Sequence, residues 1–209
     1  MKKLVICYRL SGHDNDSYML GEETRPAATD EEKEFFDWRF VQGSKQHPAT
    51  CQKCGRKTDP RFVDPKFELR KRALDISSTY DGYTIVSERF KSFCEGLALS
   101  GVEFIHLPSQ ATHYWLVVHN ILVVDKVHSA GIRFLYYCDR CNCYAGVFGA
   151  DCLRFTRISS PIASGIYRTD IEFAQAHEQH PVLIVSTEVG AAIKAKKLKG
   201  VCLNEVEYI

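Results

Sequence analysis

The chain has 209 residues, which is enough for one large domain or two small ones. Its composition, 45% hydrophobic and 25% charged, is that of a globular protein that can bury a core. With 27 basic and 26 acidic residues the formal net charge is +1, so overall charge gives no argument for a nucleic-acid or membrane partner.

The N-terminal segment predicts a cytoplasmic protein. Its apolar run ends at Cys7, before Arg9 and a polar stretch, whereas a secretion signal needs an apolar region of about 7–15 residues. The longest apolar stretches elsewhere, such as residues 121–124, are far too short to span a bilayer. Nine cysteines in such a chain indicate a reducing compartment, where thiols are metal ligands, core residues or reactive groups more often than disulfides.

Residues 1–50 are interpreted as an N-terminal appendage with one strand and one helix. Residues 3–9 have the pattern of a short strand. Thr29 and Glu32 form a capping box, in which the Thr29 hydroxyl accepts from a helical N–H while Glu32 reaches back to the cap. A helix should therefore begin there and end near Gly43.

Two CxxC motifs carry the strongest chemical signal in the sequence. A CxxC turn lets two thiolates converge on one metal ion, and a second such turn completes a tetrahedral four-cysteine zinc site. Such a site is closed to substrate, so we expect the Zn²⁺ to be structural rather than catalytic. Cys143 and Cys152 are alternative ligands for the second motif. The predicted ligands are Cys51, Cys54, Cys138 and Cys141.

Residues 83–107 and 182–206 repeat one pattern at a constant offset. Each segment has an apolar strand that ends in a serine, a helical stretch, and a glycine that leads into a second strand. The serine is a good helix N-cap, and the glycine supplies the left-handed residue that stops a helix. The pattern therefore predicts two strand–helix–strand pseudo-repeats. The identical pairs are Ile85/Ile184, Val86/Val185, Ser87/Ser186, Leu99/Leu198, Gly101/Gly200 and Val102/Val201.

The sequence between the pseudo-repeats is rich in strand patterns and has no low-complexity or Pro/Gly-rich linker. We therefore predict an α+β fold: a single compact unit over residues 51–209, with a mostly antiparallel central sheet and a four-cysteine zinc knuckle pair. Cys7, Cys94 and Cys202 fall in apolar patterns, and we expect them in the core. The predicted intervening strands are residues 113–119, 121–125, 132–137, 144–148 and 153–158.

No signature of hydrolytic catalysis accompanies these elements. The sequence has no G-x-S-x-G, H-E-x-x-H, P-loop or dinucleotide-binding motif. His113 and His119 share one face of a predicted strand and mark the site of a third, enzymatic option. The basic cluster within residues 53–72 is either a solvated face or a surface for an anionic partner.

Nucleic-acid binding by a zinc ribbon is an alternative function. Lysine and arginine beside a zinc knuckle contact phosphates, and Tyr136, Tyr137 or Tyr144 would stack on bases. The net charge near zero weakens this alternative.

The ordered set of motifs resembles a bacterial family named for a double CxxCG motif. The residues that carry this resemblance are 51–55 (Cys-Gln-Lys-Cys-Gly), 87–90 (Ser-Glu-Arg-Phe) and 101–104 (Gly-Val-Glu-Phe). Later elements are similar to a related group of immunity proteins from bacterial polymorphic toxin systems: residues 120–125, 166–168, 182–186 and 198–200. The resemblance covers residues 50–207. It departs at Asn142, where the second CxxCG would have glycine, although asparagine also tolerates left-handed backbone.

This resemblance implies a non-enzymatic cytoplasmic protein that binds and neutralises a cognate toxin. The mechanism would be occlusion of a toxin surface by a rigid complementary face, with charge complementarity speeding association. Either the basic cluster of residues 53–72 or the acidic residues 30–37 would meet an oppositely charged toxin. Binding residues do not carry over from the resemblance, because immunity surfaces differ with each toxin.

Overall fold

The computed structural model describes residues 4–20, 47–70, 74–156 and 162–208. Within these ranges the protein has eleven β-strands and two α-helices. The helices are α1 (Glu88–Gly96) and α2 (Thr187–Lys196). The strands are β1 (Leu4–Asp14), β2 (Ile76–Ser78), β3 (Thr84–Ser87), β4 (Val102–Leu107), β5 (Gln110–Val118), β6 (Ile121–Leu122), β7 (Arg133–Cys138), β8 (Cys143–Phe148), β9 (Ile166–Gln175), β10 (His180–Val185) and β11 (Val201–Tyr208).

The strands form a mixed sheet in the order β4-β5-β3-β2-β1-β10-β9-β8-β7, with β11 paired to β1 and β6 paired to β9. The β1–β2 and β6–β9 pairs are parallel. The other pairs in the described residues are antiparallel. The described chain is therefore built mostly from strands, with two helices, and no described helix is long and apolar enough to cross a bilayer.

Strand β1 lies inside the sheet, where its backbone pairs with β2, β10 and β11. The interpretation of residues 1–50 as an appendage therefore does not extend to this strand. The strand also continues past its predicted end at Arg9, because the polar residues 11–14 are held by backbone pairing with β11 and β2. The predicted capping box at Thr29 and Glu32 and its helix lie outside the described residues.

Both segments of the predicted pseudo-repeat contain a strand, a helix and a strand in the expected order, as β3-α1-β4 and β10-α2-β11. Their serine caps have the same geometry. The Ser87 hydroxyl accepts from the Phe90 N–H at 3.3 Å, and the Ser186 hydroxyl accepts from the Val189 N–H at 3.2 Å. Each bond satisfies one of the N–H groups that a helix leaves unpaired in its first turn.

The prediction that Gly101 and Gly200 stop the helices is wrong in position. Helices α1 and α2 end earlier. The left-handed residues that follow the two helices are Ala98 and Lys197, each with φ 50°. Gly101 (φ 71°) and Gly200 (φ 78°) instead lie immediately before β4 and β11. These glycines therefore provide the left-handed backbone turn that leads into each following strand.

The two helices share one hydrophobic core. Phe90 and Cys94 of α1 and Val189 and Ile193 of α2 belong to the same buried cluster, and each is no more than 1% exposed. Cys7 is also fully buried, so the prediction of core positions is confirmed for Cys7 and Cys94. Cys202 is only half-buried, so that prediction is wrong for Cys202. A separate cluster contains the CxxC cysteines.

Candidate metal centre

The first CxxC motif lies in a tight loop that the backbone closes on itself. Thr50 and Lys57 form an isolated antiparallel bridge at its base. The Cys51 N–H donates to the Arg56 carbonyl at 2.7 Å, and the Gly55 N–H donates back to the Cys51 carbonyl at 2.8 Å. Gly55 has φ 74°, a left-handed conformation that glycine adopts without steric cost. The loop therefore turns both thiols to one side.

The second CxxC motif is the turn of the β7–β8 hairpin. Cys138 ends β7 and pairs with Cys143 at the start of β8. Asn142 has φ 55°, so it takes the left-handed conformation that the sequence predicted for it. Asparagine tolerates this conformation better than most residues, so the turn forms without glycine.

The four predicted ligands form one group in which the sulfur atoms all lie within 4.8 Å of one another. The Cys51 and Cys138 Sγ atoms are 3.9 Å apart, and those of Cys54 and Cys141 are 3.6 Å apart. A Zn–S distance of about 2.3 Å places the sulfurs of a tetrahedral site about 3.8 Å apart. Three of the cysteines are buried and Cys141 is half-buried. The group is therefore positioned to hold a metal ion.

Cys143, the nearer alternative ligand, has a different partner. Its Sγ atom accepts a hydrogen bond from Arg56 Nη1 at 2.8 Å, and it is not a member of the four-cysteine group. The other alternative, Cys152, ends a short 3-10 turn, and its side chain lies outside the described residues.

Ionisation within the group is uneven. Burial raises the pKa of the Cys51 thiol, but the backbone N–H groups of Cys54 and Lys53 donate to its sulfur and bring the pKa down to about 7. Burial raises the pKa of Cys54, and it raises the pKa of Cys141 to about 11. Because only thiolates bind zinc well, a metal ion that loads here must displace protons from these buried thiols.

Arg56 connects the first CxxC loop to the sheet. Besides its bond to Cys143, its Nη2 atom lies 2.7 Å from Glu172 Oε2 on β9, and its Nε atom donates to Gln179 Oε1 at 2.7 Å. The Gln179 amide then donates to the Tyr144 carbonyl on β8 at 3.0 Å. The sequence identified Arg56 only as one member of a basic cluster, because its partners are distant along the chain.

A second connection joins the two CxxC turns directly. Lys53 Nζ lies 2.6 Å from Asp139 Oδ1, so each turn contributes one charge to an exposed ion pair. Hydrogen bonding to Lys53 holds the pKa of Asp139 below its usual value. This exposed pair is a minor contribution to stability beside the sulfur group.

A cavity of about 450 Å³ adjoins the cysteine group. It is bounded by the first CxxC loop, the turn before β3, strand β5 and strands β9 and β10. His119 lines it, but His113 does not, so the structure does not bring the two candidate histidines to one cavity. His119 Nε2 instead lies 2.9 Å from Glu103 Oε2.

The β7–β8 hairpin carries a face of exposed aromatic residues, which we call the aromatic face. Its exposed fractions run from 37% for Phe134 to 60% for Tyr137. The Tyr144 ring joins them, with centroid distances of 5.2 Å to Phe134 and 5.4 Å to Tyr137. The hairpin lies at one end of the sheet order. The residues of the aromatic face are Phe134, Tyr137 and Tyr144.

Comparison with known proteins adds no family to this description. No protein-family model matches the chain, and no curated protein matches it.

Proposed function

We propose that this chain is a non-enzymatic immunity protein that binds and neutralises a cognate bacterial toxin in the cytoplasm. The observation that carries the proposal is the aromatic face, which lies on the hairpin whose turn holds Cys138 and Cys141. Tyrosine and phenylalanine are enriched at protein interfaces, and clusters of such anchors supply most of the binding energy. Exposed aromatic residues in contact with one another are therefore a candidate binding surface.

The proposal includes a structural Zn²⁺ ion at Cys51, Cys54, Cys138 and Cys141. Four thiolate ligands in tetrahedral arrangement favour zinc over the harder divalent ions, and they leave no open coordination position. The ion would tie the first CxxC loop to the base of the hairpin. A hairpin fixed in this way loses less conformational entropy when a partner binds, which increases affinity without any new contact.

We further propose that residues 83–107 and 182–206 are copies of one unit within a single compact domain. Equivalent positions have equivalent geometry, since Ala98 and Lys197 share φ 50° and both helices have serine caps. The strand pairings support this as well. Strand β3 pairs with β2 and β5, while β10 pairs with β9 and β1, so β1 takes beside β10 the place that β5 has beside β3.

The test is capture of a partner by the zinc-loaded protein from its native host, with the product of the neighbouring gene included as a candidate. We expect a one-to-one complex with a toxin-like protein that persists at raised salt. Tyr137→Ser and Phe134→Ser should each weaken it by about tenfold or more, because loss of an aromatic anchor costs about 2 kcal/mol. Tyr80→Ser is the matched control, since Tyr80 is 41% exposed but lies outside the hairpin.

The alternative is a zinc-ribbon regulator that binds nucleic acid through the same hairpin. Lys126 Nζ lies 5.8 Å from the centre of the Phe134 ring, and Arg133 and Arg140 are exposed on the hairpin. Aromatic rings beside cations suit stacked bases and phosphates. Recovery of nucleic acid whose binding falls steeply with salt, with no protein partner, would replace the immunity proposal by this one.

A further inference from the structure

The cavity beside the cysteine group has more positive than negative charge on its walls. Arg56, Lys57 and Arg168 line it, whereas Glu172 is the one carboxylate among the described residues that do so. Glu172 is already paired with Arg56 at 2.7 Å. The positive charges of Lys57 and Arg168 are therefore left without a counter-ion in the cavity wall.

Lys57 is held in place by a backbone carbonyl and an aromatic ring, and it forms no ion pair among the described residues. Its Nζ atom donates to the Asp81 carbonyl at 2.7 Å and lies 4.7 Å from the centre of the Tyr83 ring. An ammonium group has three donors, and the carbonyl takes one of them. Burial lowers the pKa of Lys57, against the opposing effect of Asp81 and Glu172. An anion in the cavity would therefore stabilise the charged form of this side chain.

Arg168 is the second cation of the cavity wall. It lies on β9, where its Nη1 atom donates to the neighbouring Thr169 carbonyl at 3.3 Å. No carboxylate lies within ion-pair distance of it in the part of the chain that the structure describes. A guanidinium has five donors in a planar fork that fits the two oxygens of a carboxylate or phosphate. Most of that capacity remains available to a ligand.

Part of the remaining wall is apolar and aromatic. Trp115 lies beside Tyr83 with a centroid distance of 4.9 Å, and Pro181 and Leu183 line the cavity from β10. A volume of about 450 Å³ is that of a small-molecule site, and such sites combine apolar walls with a few oriented polar groups. A lone inorganic ion would leave this apolar surface without a contact.

We infer that this cavity binds a small organic anion through a phosphate or carboxylate group that pairs with Lys57 and Arg168. The apolar wall at Trp115 would contact the rest of the molecule. This site differs from the aromatic face, and the inference does not rest on the proposed toxin binding, because it can be tested with no toxin present.

The test is calorimetric titration of the zinc-loaded, full-length protein with citrate and, separately, with adenosine monophosphate. We expect one-to-one binding of at least one probe. Tighter binding of citrate would assign a carboxylate ligand, and tighter binding of the nucleotide a phosphate ligand. Arg168→Gln should weaken that binding about tenfold or more, since loss of one hydrogen bond to a charged group reduces affinity by about that factor. Arg168→Lys keeps the charge but loses the planar fork of donors, so its affinity should lie between that of the wild-type protein and that of Arg168→Gln.

Arg133→Gln is the matched control, because Arg133 is exposed on β7 and lies outside the cavity. It removes the same charge and should leave the affinity unchanged. Binding that Arg133→Gln weakens as much as Arg168→Gln would be unspecific charge attraction and would overturn the inference. Failure of both probes to bind the wild-type protein would also overturn it, and would leave the toxin-binding proposal untouched. The thermal unfolding midpoint of each variant shows that the variants are folded.

Discussion

Asp75 is a buried carboxylate that joins the start of α1 to the end of α2. It is 8% exposed and accepts three hydrogen bonds: from the Ser87 hydroxyl at 2.9 Å, from Arg89 Nη1 at 2.8 Å and from the Lys199 N–H at 2.7 Å. Arg89 also donates to the Lys196 carbonyl at 2.8 Å. The network therefore fixes the two helices relative to each other through one side chain.

Asp75→Asn should lower the free energy of unfolding by about 2 kcal/mol. The amide loses the charge that strengthens these bonds, and it presents N–H groups where the native network needs acceptors. Denaturant unfolding of the zinc-loaded protein measures the change. Glu95→Gln is the control, because Glu95 is exposed on α1 and its lysine contact is 4.0 Å, so its effect should stay within about 0.5 kcal/mol. Equal effects of the two substitutions would show that the Asp75 network does not stabilise the fold.

Cys7 and Cys94 should resist alkylation while the protein is folded. Burial raises the pKa of each thiol to about 12, and the reactive species is the thiolate. Iodoacetamide at pH 8, followed by mass spectrometry of peptides, should label Cys202, which is half-buried, before either of them. Labelling of Cys7 or Cys94 at the rate of Cys202 in native protein would contradict the described packing.

At the residue scale the sequence predicted which four cysteines form one group, but not the residues that support that group. The CxxC spacing is local and chemically restrictive, so four cysteines were identified and the structure brings those four together. Arg56 carries no such pattern. Its role comes from Glu172, Gln179 and Cys143, which only the fold brings near it.

At the scale of the elements, two glycines near α1 differ in the space that their surroundings leave for a side chain. Gly101 has φ 71°, and a Cβ atom there would lie 2.2 Å from Asn120 Oδ1. Gly96 is the last residue of α1, and a Cβ atom there would meet nothing within 4 Å. Asn120 cannot move freely, because its amide donates to the Ser100 and Ile166 carbonyls.

Gly101→Ala should therefore lower the free energy of unfolding by more than 1 kcal/mol, through backbone strain and the clash with Asn120. Gly96→Ala should raise it by about 0.5 kcal/mol, because alanine restricts the unfolded chain and favours helix. Thermal and denaturant unfolding of the two variants provide the comparison. A loss of stability in both would mean that the helix end differs from the one described.

Element prediction succeeded for the presence and the start of both helices, and it failed for the second half of β1 and for the positions where the helices end. The serine caps and apolar stripes of α1 and α2 are short-range patterns, and both helices are present. The second half of β1 is polar, so its sequence has no strand pattern, and its extended backbone is held by hydrogen bonds to β11 and β2. The helices ended before Gly101 and Gly200 because Ala98 and Lys197 adopt the left-handed conformation despite their side chains.

At the scale of the whole molecule, the strand order was beyond sequence reasoning. The N-terminal strand β1 lies between β2 and β10, whose residues are distant along the chain. The local pattern of residues 4–14 does not indicate which strands these residues will pair with. The same applies to the cavity, whose walls come from five separate parts of the chain.

Metal removal should loosen one region and leave the rest folded. The cysteines form a cluster of their own, separate from the core that contains α1 and α2. Without the ion, the first CxxC loop is still linked to the rest of the fold by the hydrogen bonds of Arg56 and Lys57 and by the exposed Lys53–Asp139 pair. Exposed ion pairs contribute little, whereas structural zinc contributes directly to folding.

We therefore expect about one zinc ion per purified chain, measured by elemental analysis. Removing it with a chelator, or by Cys51→Ser with Cys54→Ser, should speed hydrogen exchange in residues 47–58 and 133–148. Exchange in α1 and α2 should change much less, because their core does not include the cysteine group. Cys143→Ser is the matched control: it removes a neighbouring thiol that accepts from Arg56, and it should leave the zinc content intact. Full zinc content in the double variant, or its loss in Cys143→Ser, would mean that the ligand set differs from the four cysteines assigned here.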